Sequence, residues 1–252
     1  ERKYGATVEE VIAFGQDAQA RLDSVQNGEE RIAELKKLLK EQDRTLHDLC
    51  TQLTESRRAI AAEFERALLA QLRDLGMQRT QFRVEFKALE KPCADGMDQL
   101  EFMISPNPGE PLRPMAQIAS GGELSRIMLA IKTIAMHVDG VDTMIFDEID
   151  TGVSGRMAQV VGEKMCAIAR EKQVLCVTHL PQIAALGGAH FRVEKQTDGI
   201  RTETRVLRLD FEGRVRELSR LVGGAEDSES SLSHARHMLE DAAAVREQLR
   251  NA

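Results

Sequence analysis

Three short stretches carry residues whose types and spacing could do chemistry, and they follow one another between residues 120 and 179. In the first, Ser120-Gly121-Gly122-Glu123 leads into an apolar, helix-forming run. Ser120 can cap that helix, and Glu123, three positions on, completes an S-x-x-E capping box. The two glycines leave the backbone open to close approach. Free N–H groups and the helix dipole then favour an anion such as phosphate. The same four residues would also serve as an ordinary loop-to-helix cap.

The second stretch is Thr143-Met144-Ile145-Phe146-Asp147-Glu148, an apolar run ending in two carboxylates. A buried strand of this kind holds its acids at its C-terminal edge, where α/β sheets place their sites. Asp147 suits magnesium, which takes hard oxygen ligands and keeps several waters. Glu148 could orient or deprotonate an attacking water. A solvated acidic strand end is the plainer alternative. Asp150 stands on the loop just beyond, and Ser154 is placed to cap the helix that follows.

The third stretch is Val174-Leu175-Cys176-Val177-Thr178-His179. A second apolar strand would bring His179 to the same edge as the carboxylates. An imidazole there can donate a hydrogen bond to a terminal phosphate and sense its loss, although a lone histidine is often only structural.

Elements must position these groups, and the pattern around them supplies elements. Apolar strands at 143–147 and 173–177 alternate with helical runs at 122–137 and 156–171, predicting an α/β layer with a parallel centre. Phe82, Val84 and Phe86, then Leu100, Phe102 and Ile104, alternate with polar residues as two half-buried strands. A Pro/Gly-rich loop at 106–111 follows them. Two more strands near 190–195 and 201–208 flank a turn at Thr197-Asp198-Gly199, and helices near 212–222 and 230–250 follow.

Upstream the pattern is different. Ile32, Leu39, Leu46, Leu53 and Ile60 recur every seventh residue, with Leu35 and Leu49 on the second seam position. That is the a/d signature of a coiled coil, weakened where Gln42 and Ser56 fall at d. An amphipathic helix lying on a core is the alternative. Residues 7–25 are also helical in pattern, with Asn27-Gly28 as the expected break between the two helices. The division expected is residues 1–75 as a coiled-coil arm and 76–252 as a globular lobe. No partner strand for the arm is evident in the sequence, so one is expected from another chain or an upstream segment. The opening Glu1-Arg2-Lys3-Tyr4-Gly5 reads as the middle of something longer.

Composition narrows the classes. Of 252 residues, 42% are hydrophobic and only 4% aromatic, favouring a helix-rich chain with a packed core. The formal charge of −7 argues against a wholly basic nucleic-acid-binding surface. Arginines between 201 and 220 are interleaved with glutamates and read as a mixed-charge surface. Four cysteines far apart, without ligand spacing, fit a reducing cytosol. No apolar run reaches the ~18 residues of a membrane helix.

The order of the stretches resembles the ABC ATPase superfamily: signature motif, Walker B strand, D-loop and switch histidine. The runs QIASGGELSRIMLAIK, FDEIDTGVSGRMAQVVGEKM and VLCVTHLPQIAALGGAHFRVEK are similar, more closely, to the SMC-like DNA-repair ATPases of bacteria. The resemblance covers nearly the whole chain, the arm included.

It implies the C-terminal lobe of an ABC/SMC-type P-loop ATPase head, α/β in class, with an attached α-helical coiled-coil arm. It implies ATP and Mg2+ as ligands, Asp147 on the metal, Glu148 activating the hydrolytic water and His179 on the γ-phosphate. Ser120, Gly121, Gly122 and Glu123 would meet ATP held mainly by a second subunit, with Asp150 near the dimer seam. Expected partners are an N-terminal half bearing the phosphate loop, a second head bridged by ATP, and DNA, with no membrane. The resemblance also implies a cytoplasmic, nucleoid-associated protein acting on double-strand breaks.

One departure is plain: no G-x-x-x-x-G-K-[ST] phosphate loop occurs in these residues. The chain alone is therefore expected to be inactive. Two other readings stay open: the ATP-binding subunit of an ABC transporter, and a non-catalytic dimerisation scaffold.

Overall fold

The computed structural model describes residues 3–107, 109–118, 120–138, 140–197, 201–223 and 228–251, the side chains of 26 and 251 aside. Two compact units emerge: Glu1–Ile60 with Phe86–Gln99, and Ala61–Glu85 with Leu100–Ala252.

Helix α1, Val8–Asp74, begins with a reciprocal capping box. The Glu10 N–H donates to Thr7 Oγ1 at 3.3 Å, and Glu10 Oε2 accepts from the Ala6 and Thr7 N–H groups. The helix then runs unbroken through Asn27 and Gly28, contrary to the expected break. Glycine costs about 1 kcal/mol against alanine inside a helix, which strong helix formers on either side outweigh. Nothing lies within 4 Å of where a Gly28 Cβ would stand, so no close approach requires glycine there. The seam residues Ile32, Leu35, Leu39, Leu46, Leu49, Leu53 and Ile60 are all exposed, as an unpartnered coiled-coil face would be.

Strands β1, Gln81–Cys93, and β2, Gly96–Ser105, form one long hairpin, with a short strand β3, Arg113–Pro114, beside β2. The hairpin tip belongs to the first unit and packs on one flank of α1. Thr54 Oγ1 donates to Asp98 Oδ2 at 2.5 Å, Arg57 Nη1 donates to the Asp95 carbonyl at 2.7 Å, and Cys50 is buried.

In the second unit α1 ends in a Schellman turn. The Met77 N–H reaches the Leu72 carbonyl, the Gly76 N–H reaches that of Arg73, and Gly76 sits at φ +80. Leu68, Leu72 and Leu75 are fully buried there, and Phe64, Phe82 and Phe102 form a ring cluster with centroids 5.5–5.9 Å apart.

A 3-10 turn, Met115–Gln117, leads to helix α2, Gly121–Ile134. Strand β4, Thr143–Phe146, helix α3, Arg156–Ile168, and strand β5, Gln173–Cys176, make a parallel crossover with Thr143 opposite Gln173 and Phe146 opposite Cys176. This is the expected parallel centre. Ser154 is not the cap of α3: that position belongs to Gly155 at φ 52, a left-handed conformation that costs glycine little, and no side chain caps the helix.

A short helix α4, Pro181–Ala185, precedes the antiparallel pair β6, His190–Thr197, and β7, Thr202–Leu209. Of the expected turn between them, Asp198 and Gly199 lie outside the described residues. Helix α5, Phe211–Leu221, is capped by Asp210, which accepts from the Gly213 N–H at 2.8 Å. Helix α6, Glu229–Asn251, packs Ala235, Leu239 and Ala242 against Val215 and Leu218 of α5 and Leu186.

Candidate functional site

The parallel register fixes the site. With Phe146 beside Cys176, the residues after β4 and those after β5 leave the same edge, and the Val177 N–H still pairs with the Phe146 carbonyl at 2.9 Å. Asp147 and Glu148 therefore stand beside Thr178 and His179. Helix α2 joins them through Ser125, whose hydroxyl donates to the Asp147 carbonyl at 2.8 Å.

At the start of α2, Ser120 is the N-cap and its Oγ accepts the Glu123 N–H at 3.4 Å, one arm of the expected box. Both glycines lie close against their neighbours. A Cβ on Gly121 would collide with the Glu148 carboxylate, its Cδ lying 3.3 Å away. A Cβ on Gly122 would meet Thr151 Cβ at 2.9 Å, the Thr151 carbonyl oxygen at 3.0 Å and that of Glu148 at 3.2 Å. The loop after β4 is thus pressed on the first turn of α2. Arg126 secures it from within the helix: its buried Nη1 donates to the Thr151 carbonyl at 2.7 Å. Burial draws the Arg126 pKa down, and Glu123 opposes that shift.

Asp147 and Glu148 are exposed, and Asp147 Oδ1 accepts the Glu148 N–H at 2.9 Å. Glu148 adopts φ 56, the one positive φ outside glycine among the described residues. For a residue with a side chain this conformation is costly and is held by its surroundings, here the close fit on Gly121 and Gly122. Asp150 behaves differently. It is 3% exposed, and its Oδ2 accepts from Thr178 Oγ1 at 2.6 Å and from the His179 N–H at 2.9 Å, with His179 Nδ1 at 3.0 Å. The His179 side chain itself remains 73% exposed. Behind the edge, burial and the neighbouring Asp150 and Asp147 carboxylates push the Cys176 thiol up to about 12.

All eight expected site residues, Ser120, Gly121, Gly122, Glu123, Asp147, Glu148, Asp150 and His179, thus gather around one sheet edge and one helix start. Sequence reasoning missed Ser125, Arg126, Thr151 and Thr178. Arg126 had one available signal, a charged residue immediately before the apolar run Ile127 to Ala130. No group of three or more His, Cys, Asp or Glu residues able to cage a metal occurs among the described residues. A magnesium ion, needing only one or two carboxylates beside water and phosphate, would still find a fitting ligand in exposed Asp147.

In fold, the architecture is similar to that of Smc head domains with a coiled coil. Among solved structures the chain is similar to the Smc head domain with coiled coil and joint from Pyrococcus yayanosii (TM-score 0.57, 19% identity, covering 86% of this chain and 39% of that one). It is also similar to a Pyrococcus furiosus Smc head with extended coiled coil (TM-score 0.51, 20% identity, 85% of this chain and 50% of that one). These likenesses speak for the fold.

In sequence, the chain is similar to bacterial proteins named DNA repair protein RecN. It is 41% identical over 249 residues to RecN of Halalkalibacterium halodurans, covering 97% of this chain and 44% of that protein. Against Bacillus subtilis RecN it is 36% identical, covering 97% and 45%. The chain therefore spans less than half the length of these relatives. No protein-family profile matches it.

Proposed function

We propose that this chain is the catalytic-edge half of a RecN-type ATPase head that dimerises on ATP, hydrolyses it to separate, and thereby organises DNA ends in double-strand-break repair. The observation that carries the reading is the shared edge itself. It gathers two exposed carboxylates after β4, a histidine after β5 and a glycine-bearing helix start against which the Glu148 carboxylate rests. Relatives named as DNA repair proteins support the cellular role. The interleaved charges of β7 single out no DNA-binding residue.

Within the site, Asp147 would hold Mg2+, which when bound neutralises charge on the phosphates. Glu148 orients the attacking water and takes its proton as the water oxygen displaces ADP from the γ-phosphorus. His179 meets the γ-phosphate. Ser120, Gly121 and Gly122 present backbone N–H groups to the nucleotide of a second head, so that ATP bridges the two. The phosphate loop comes from an N-terminal half, without which the chain binds ATP weakly and does not turn it over.

The β4–β5 pair supports that partnership. One face, with Met144 and Phe146, is buried, whereas Ile145, Leu175 and Val177 on the other are 71%, 45% and 62% exposed. Parallel sheets are ordinarily covered on both faces, so another layer of protein is called for. No described helix is long and apolar enough to cross a membrane. We place the protein in the cytoplasm, on the nucleoid. The long α1 speaks against a transporter subunit, and the retained Glu148 and His179 against an inert scaffold.

The test is co-expression with the N-terminal half of the same protein, followed by sizing with and without ATP. A wild-type head that doubles in mass with ATP, and a Ser120→Arg head that does not, is the expected pair of results. Doubling that is indifferent to both ATP and Ser120→Arg would overturn the ATP-bridge reading.

A further inference from the structure

Asp150 occupies a place that the shared edge leaves unexplained: a carboxylate almost wholly buried beside a histidine almost wholly outside. Two donors converge on its Oδ2, the Thr178 hydroxyl at 2.6 Å and the His179 backbone N–H at 2.9 Å, and the His179 ring nitrogen Nδ1 lies 3.0 Å from the same oxygen. The Thr178 hydroxyl is fixed in turn, because its oxygen accepts the Leu180 N–H at 3.0 Å. An ionised carboxylate only accepts hydrogen bonds, so the ring nitrogen facing it must be the one that carries hydrogen.

We propose that Asp150 is the positioning residue of His179, holding the ring as its Nδ1–H tautomer and presenting Nε2 away from the protein. The backbone bond fixes where the strand end lies, and the ring bond fixes how the imidazole is turned. With Nδ1–H committed to Asp150, a neutral His179 presents a lone pair at Nε2. It accepts a hydrogen bond there, and it can donate one to a phosphate oxygen only when both ring nitrogens are protonated. Asp150 then supplies the compensating negative charge. A histidine free in water carries its proton mostly on Nε2, so the structure reverses the ordinary preference. The role in turnover rests on the reading of His179 as the residue that meets the γ-phosphate; the tautomer does not.

Ring 15N NMR of histidine-labelled protein tests this, with the His179 signal identified by its loss in His179→Gln. The wild-type ring should show a protonated Nδ1 and a pyridine-type Nε2. Asp150→Ala should return the ring to the Nε2–H form. Asp150→Asn, which keeps an acceptor oxygen and the residue's shape, should restore Nδ1–H. In the head joined to its N-terminal half, Asp150→Ala should lower kcat about tenfold or more, as for a misplaced contact to the transferring phosphoryl group, while KM for ATP holds within about twofold.

A wild-type ring in the Nε2–H form overturns the proposal without any variant needing to fold, as does an unchanged tautomer in Asp150→Ala. If instead the tautomer behaves as expected but His179→Gln turns over ATP like wild type, the positioning stands and the γ-phosphate role of His179 falls.

Discussion

Gly121 and Gly122 are adjacent, yet the structure gives them different tolerances. A Cβ at 121 meets the free end of the Glu148 side chain, which can swing aside. One at 122 meets the backbone of the loop after β4, which cannot. Gly122→Ala should therefore destabilise the fold by about 1–3 kcal/mol, the usual cost of overpacking, and Gly121→Ala by clearly less. Thermal or urea melts of the two variants decide it; equal losses would contradict the close fit. The cysteines offer a second residue-scale test. With its thiol pushed up to about 12, Cys176 stays protonated and unreactive at pH 8, whereas exposed Cys93 alkylates. Mass spectrometry after brief alkylation should find Cys93 modified first and Cys176 only after denaturation. At this scale the residue types were legible from the sequence, because a strand ending in two acids and a helix opening on two glycines are local patterns. The pairing of Asp150 with His179 was not legible. It depends on two strand ends meeting in space, and nothing near either residue announces the other.

At the scale of elements, the heptad run announced α1 and the change of period after Gly76 announced its end. Asn27-Gly28 misled because a turn-forming pair was weighed without its surroundings: two weak helix formers do not stop a helix flanked by many strong ones. Gly28→Ala should accordingly raise the stability of α1 by about 1 kcal/mol, measurable by circular dichroism melts, with no steric penalty. The β1–β2 hairpin was legible only at its base, where Phe82, Val84, Phe102 and Ile104 alternate. Its tip carries Pro92 and Gly96 and shows no such rhythm.

The edge between α4, β6 and α5 carries a pH dependence of its own. Burial, with Arg214 and Arg246 nearby, lowers the His190 pKa to about 4 from an ordinary 6.5. The unfolded chain thus takes up a proton there more readily than the folded one. The stability His190 contributes by staying neutral is complete above pH 6.5 and is lost as pH falls from there toward about 4. His190→Gln should flatten the fall in melting temperature across that window; an unchanged pH profile would contradict the assignment.

For the whole molecule, two apolar surfaces stand open: the heptad seam of α1 and the face of Ile145, Leu175 and Val177. The first was foreshadowed by unpaired heptads; the second was not, because the apolar runs at 143–147 and 173–177 read as buried strands while Ile145, Leu175 and Val177 are exposed. Glu148 should support ATP hydrolysis once the N-terminal half is supplied. The direct measurement is steady-state ATP turnover by this chain co-assembled with that half, wild type against Glu148→Gln. The wild-type assembly should turn ATP over, Glu148→Gln should lose about a hundredfold or more, and the chain alone should show no turnover. Turnover by Glu148→Gln equal to wild type would contradict that role.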